Sequence, residues 1–280
     1  MPDGTTKKKH TVLETAQWYI RDIGRAFFPN SLVSPVTMTI LGMSQLLFFL
    51  FVWTTFTSPV IPKPFEIVAG LQSVFAAGVR DDIESSIVLF LHSMLLTIVI
   101  SLVASYLTVL PVARPSVGAI SRARFLGLTG LTYMFTIMIG GGHSLKVALL
   151  TLGMTVFCVQ TISDIIVKIP LEDYDEARTL RYSEWRVVWE VVILGRADEV
   201  FDVFRQNAAI GWVMLTMVEG IVRSDGGIGA MLLNQNKHLH LNEVFALQFI
   251  IFSLGTAQDL LIGFMKNLCC PYAVLEQERK

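Results

Sequence analysis

Charge is what this chain has least of. Only 16% of its 280 residues are Asp, Glu, Lys or Arg, while 53% are hydrophobic. Soluble domains carry about 25% charged residues. A mean hydropathy of +0.58 is more than a large soluble core explains, which argues against an ordinary soluble enzyme and against a disordered chain. The formal net charge is −1, so no net basic face is offered to nucleic acid. Cysteine is scarce as well. Cys158 lies in an apolar run and Cys269 adjoins Cys270, which provides neither a disulfide framework nor a CxxC metal site. No GxxxxGK(S/T) loop, whose backbone amides would cradle phosphates, occurs. The nearest glycine cluster, Gly140 to Gly142 before Lys146, has the wrong spacing. Internal repeats, low-complexity tracts and a cleavable-signal pattern are not evident.

The charges that are present are sorted. Ala26–Pro62, Ser85–Ala113 and Phe125–Leu145 are runs of 37, 29 and 21 residues without Asp, Glu, Lys or Arg. A helix crossing the hydrocarbon layer needs about 20 mostly apolar residues. The expected fold is therefore all-α and polytopic, with about six transmembrane helices at 36–56, 88–111, 125–141, 146–166, 206–222 and 243–265. The last three contain Asp164, Glu219 and Asp259. A charged segment at 187–204 reads as the entry to the fifth span. Threading six spans from an inside N-terminus leaves 17 of the 22 basic residues on one side; only Lys63, Arg80, Lys146, Arg223 and Lys237 fall on the other. That asymmetry predicts cytoplasmic N- and C-termini. The chain then divides into a cytoplasmic tail with an interfacial helix (1–35, the helix at 11–28), a transmembrane domain (36–266) and a cytoplasmic tail (267–280). The outer loop 57–85 opens with Pro59, Pro62 and Pro64 and then takes helical periodicity over 65–79.

The longest cytoplasmic loop is 168–205. Pro170 precedes Glu172, Asp173, Asp175 and Glu176, and Arg178 and Arg181 follow. Acid first and base last complements a helix dipole, and proline is tolerated at a helix start. The pattern predicts a short helix at 170–181, either a docking element or a plain connector.

This loop resembles the EAA loop of binding-protein-dependent ABC importers. Asp175, Glu176 and Ala177 stand at the EAA positions, and Arg181 occupies the place of the family's glycine. Ser183 and Trp185 match a common continuation, and Val191 to Leu194 match the hydrophobic close without its proline. Downstream, AAIGWVMLTMVEG (208–220), GIG (227–229) and IIFSLGTAQDLL (250–261) are similar to the permease subunits of nitrate, sulfonate, taurine and bicarbonate importers, through Trp212, Glu219, Gly227, Gly229, Gly255 and Asp259. The resemblance spans roughly residues 60–266.

The resemblance implies a type I ABC importer permease fold in a bacterial inner membrane. It implies a non-catalytic subunit paired with a second permease subunit, expected as a homodimer. Its other partners would be an ABC ATPase subunit, an extracytoplasmic solute-binding protein and the lipid membrane. ATP and Mg would be bound by the partner ATPase, with no cofactor held directly. Asp175, Glu176, Ala177, Leu180 and Arg181 would couple to that ATPase. A small anionic solute would favour amide, hydroxyl and indole donors, which makes Gln160, Thr161 and Trp212 candidates for its pathway.

Ionisable groups inside spans are functional candidates by default, so Glu219 joins the pathway set, with capping of the GIG turn as its other reading. Asp164 and Asp259, near span ends, read as structural. His238, His240 and Glu243 read as a surface loop, because a zinc site needs three or four ligands. The competing class is a secondary transporter or channel for a small solute or ion with no ATPase partner.

Overall fold

The computed structural model describes residues 33–55 and 61–271, together with Gly24, Ala26 and Phe28. The helix expected at 11–28 lies outside the described residues apart from those three. Among the described residues the chain is all-helical, with no strand. Met1–Pro64 and Phe65–Lys280 form two compact units.

The first unit holds α1, Pro35–Thr55. Ser34 Oγ accepts the Thr37 N–H at 3.3 Å, an N-terminal cap, and Pro35 occupies the first helical position. Apolar side chains such as Leu46, Phe48, Phe49 and Phe51 are exposed, the all-round pattern of a helix solvated by lipid. Trp53 Nε1 donates to the Pro62 carbonyl at 3.1 Å.

The second unit runs α2 (Pro64–Ala76), α3 (Val79–Tyr106), α4 (Arg114–Arg122), α5 (Leu128–Ile139) and α6 (His143–Val167). It continues through α7 (Leu171–Thr179), α8 (Glu184–Val187), α9 (Ala197–Ile221), α10 (Ile228–Lys237) and α11 (Leu241–Cys269). A 3₁₀ turn, Leu107–Val109, extends α3, and a π-helical segment, Val188–Leu194, extends α8.

The central layer is α3, α6 and α9. Helices α3 and α6 pack most extensively and run parallel, since Thr97 Oγ1 donates to the Thr151 carbonyl and Ser105 Oγ to that of Val159, both at 3.4 Å. Ser86, Ser93, Thr97, Ser101 and Ser105 form the buried face of α3; such small side chains let helix backbones approach closely. Helix α9 lies antiparallel to α6. Lys146 reaches Gly226 beyond the end of α9, and Met154 abuts Gly211. Phe90, Met154, Trp212 and Leu215 fill one end of the core, and Cys158, Ile162, Val200 and Phe204 the other. Large apolar residues on the outer faces are exposed, including Leu91, Leu95 and Val99 of α3 and Phe249, Phe252 and Phe264 of α11, an inversion of the soluble pattern.

Among the described residues four helices are long and apolar enough to cross a membrane: Pro35–Thr55, Val79–Val109, His143–Val167 and Leu241–Cys269. They support a membrane protein. The other two expected spans differ from their sequence reading. At 125–141 the helix is only Leu128–Ile139, about 18 Å at 1.5 Å per residue against roughly 30 Å of hydrocarbon. Gly140 (φ +91) and Gly142 (φ +80) break the apolar run before α6 begins. At 206–222 the helix starts earlier, at Ala197, and its first turns bring in Asp198, Glu199, Asp202 and Arg205. Length therefore suffices there, while the charged residues and the amides Gln206 and Asn207 make α9 less apolar than the four helices above.

Candidate functional site

Helix α7 forms where the loop's charge order favours it. Pro170 (ψ 146°) enters extended, and Glu172 and Asp173 fill the first turn with Arg178 in the last. After Leu180 the chain turns through Arg181 at φ +57, and its N–H donates to the Arg178 carbonyl at 2.9 Å. That is the left-handed position that usually takes glycine after a helix.

Two arginines fasten the helix. Arg178 reaches Glu184 at 3.2 Å and Asp175 at 3.3 Å; these bonds, Glu184 foremost, hold its guanidinium above the usual arginine range. Arg196 joins Asp173 at 3.0 Å and Glu199 at 3.1 Å, which ties α7 to the start of α9. The sequence named Asp173 only as an acid at the start of the helix, and its pairing with Arg196 was not foreseen. Their 23-residue separation leaves no periodic signal.

Of the expected coupling residues, Asp175, Glu176, Leu180 and Arg181 are exposed. Ala177 is buried, 7% exposed, and lines one recess with Tyr182, Glu190 and Val191. Its small size serves packing within this chain, so a large substitution there disturbs the loop before it reaches any partner. Glu172, Asp175, Glu176 and Thr179 are the outward acidic and hydroxyl groups, spaced to share one helical face.

The pathway candidates do not converge. Gln160 Nε2 donates to both Asp164 oxygens, at 2.8 and 3.0 Å, and Thr161 Oγ1 bonds back to the Phe157 carbonyl at 3.0 Å. Both lie toward the C-terminal end of α6. Trp212 sits in mid-core, stacked on Phe90 with ring centroids 4.8 Å apart, and its indole N–H donates to Gln258 Oε1 at 2.6 Å. Asp259 pairs with Arg205 of α9 through two N–H groups, and Lys266 reaches Asp202 at 2.6 Å. Both bonds clamp α9 to α11. Asp259 thus bonds a neighbouring helix, whereas Asp164, near the end of α6, bonds within its own.

Glu219 is fully buried and works as a cap. Ser86 Oγ donates to Oε1 at 2.6 Å and the Gly229 N–H to Oε2 at 2.8 Å. Ser86 Oγ in turn accepts the Ile228 N–H at 2.9 Å, and Asp82 Oδ1 accepts that of Gly227 at 2.7 Å. Three free amides at the N-terminus of α10, a group that attracts negative charge, are thereby satisfied from α3 and α9. Buried Lys146 donates to the Gly226 carbonyl at 2.8 Å. Gly227 and Gly229 are required here. A Cβ on Gly227 would meet Glu219 Oε1 at 2.4 Å, and one on Gly229 would meet the Thr216 carbonyl oxygen at 2.6 Å. The GIG spacing hinted at this cap; Ser86, Asp82 and Lys146 gave no sequence signal.

His238 and His240 are held by the Asn234 carbonyl and Gln235 Oε1 at 2.8 and 2.9 Å. Among the described residues no group of three His, Cys, Asp or Glu side chains is arranged to hold a metal ion. No protein-family model matches the chain, and no curated protein matches it.

Proposed function

We propose that this chain is the transmembrane permease subunit of an ATP-driven ABC importer, moving a small anionic solute of the nitrate, sulfonate, taurine or bicarbonate class by alternating access. In this reading the chain lies in a bacterial inner membrane with both termini cytoplasmic. It pairs with a second permease subunit, receives solute from an extracytoplasmic binding protein, and takes its energy from a separate ATPase docked on α7.

The observation that carries the reading is at Arg181. The resemblance aligns this residue with a glycine, and its backbone has the left-handed conformation (φ +57) that glycine accommodates without strain. The backbone at this position thus takes the conformation that a glycine there would supply, which supports the reading. The acidic outer face of α7 and its double fastening by Arg178 and Arg196 also suit a rigid element that transmits force. The GIG turn locked on Glu219 adds a second structured element at a position the resemblance marks.

The reading is tested by purifying the tagged chain from its own membranes. A separate ATPase chain should copurify, and Glu176→Lys, a reversal on the exposed face, should reduce its recovery about ten-fold with the permease level unchanged. Absence of an ATPase from the wild-type preparation, or full recovery with the variant, would overturn it.

A further inference from the structure

The second unit contains a cavity of about 930 Å³ that the coupling reading does not use. It lies where the spans Val79–Val109 and His143–Val167 end, between α4, the C-terminal end of α6 and α7. This is within the range of about 300–1,000 Å³ typical of small-molecule sites. Arg114, Arg122, Arg124 and Arg178 line it, against a single acid, Glu184. Glu184 is committed to Arg178. Among the described residues Arg114, Arg122 and Arg124 have no ion-pair partner; Arg114 donates only to the Thr108 carbonyl, at 3.2 Å, and Arg124 lies over the Phe125 ring. Asp164, close by, accepts two bonds from Gln160.

The uncharged lining is also rich in donors. Ser163 Oγ is buried with no hydrogen-bond partner, and Ser121 and Tyr174 stand in the same wall. Burial pushes the Tyr174 hydroxyl above the ordinary phenol value, so it stays protonated. Val167 and Leu171 also line the cavity and are 82% and 77% exposed, an apolar lip beside a cationic chamber. Guanidinium forks bind phosphate oxygens in pairs, and basic pockets at the ends of membrane helices suit anionic headgroups.

We infer that this cavity binds the phosphate headgroup of an anionic glycerophospholipid, with Arg114, Arg122 and Arg124 on the phosphate and the acyl chains leaving past Val167 and Leu171. The apolar lip is the reason for choosing a lipid over a free anion. The inference rests on the membrane character of the chain and is independent of the importer reading.

The test is native mass spectrometry of the full chain released from nanodiscs containing phosphatidylglycerol and phosphatidylcholine. Wild-type protein should retain one phosphatidylglycerol, with at least five-fold preference over phosphatidylcholine. Arg122→Gln with Arg124→Gln should abolish the preference, whereas Lys237→Gln, outside the cavity, should keep it. Arg122→Lys with Arg124→Lys retains the charge without the fork and should give an intermediate preference, with far-UV circular dichroism checking that each variant folds. Equal retention by wild type and the double Gln variant would overturn the site. Displacement of the lipid by 10 mM inorganic phosphate would overturn the lipid as its occupant.

Discussion

Removing the Glu219 carboxylate tests the cap directly. In Glu219→Ala the Ser86 hydroxyl and the Gly229 N–H lose their acceptor inside a fully buried site. A buried donor left unsatisfied costs about 1–3 kcal/mol, so two cost about 3–5 kcal/mol once the hydroxyl has rotated to its best alternative. Glu219→Gln keeps one carbonyl oxygen but turns an NH₂ group toward the other donor, for a loss of about 1–3 kcal/mol. Ser86→Ala strips the acceptor from the Ile228 N–H and should cost a similar amount. Because the residues share one network, the double variant Glu219→Ala with Ser86→Ala should lose less than the sum, by about 1 kcal/mol or more. Unfolding in mixed detergent micelles, followed by far-UV circular dichroism, gives all four values. Additive losses, or an unshifted midpoint for Glu219→Ala, would refute the cap. A Glu219→Gln protein of full stability but without transport would instead make the residue part of the solute path.

The remaining predictions concern backbone geometry. Arg181→Gly relieves a left-handed residue and should stabilise the end of α7 by about 0.5–1 kcal/mol; hydrogen exchange of the α7 amides should slow about two- to five-fold, and unchanged protection would contradict the strain. Gly229→Ala drives a Cβ into the Thr216 backbone and should cost about 2–3 kcal/mol. Gly130→Ala, with nothing within 4 Å, should be neutral or stabilising by up to about 1 kcal/mol. The same micelle unfolding compares these two, and equal effects would show that α9 and α10 are not in close backbone contact.

Much of the architecture was legible in the sequence. Charge-free runs located α1 and α3, an apolar stretch interrupted by Asp164 located α6, and the acid-to-base order of the loop located α7 to within two residues of its observed ends. The α5 span misled because the charge-free run 125–145 hides three consecutive glycines, Gly140 to Gly142, two of them at positive φ, that end the helix without adding a charge. The sequence could not say which way Ala177 faces. A nine-residue helix with acids on several sides has no dominant apolar face, so packing on α8 decides its orientation. Gln160, Thr161, Trp212 and Glu219 were grouped by chemistry alone, and the fold separates them along α6 and α9 and engages each within the chain.

The scarcity of charge by itself determined that long helices of this chain suit hydrocarbon, because solvation in lipid is a local property summed over about 20 neighbouring residues. Which polar groups satisfy one another was decided only by the tertiary structure. Ser86 and Glu219 are 133 residues apart and Asp82 and Gly227 145, and the four arginines around the cavity come from segments on either side of a membrane helix. A buried polar group must find a partner somewhere. Where that partner lies depends on how the helices pack, and no window along the chain contains both members of the pair.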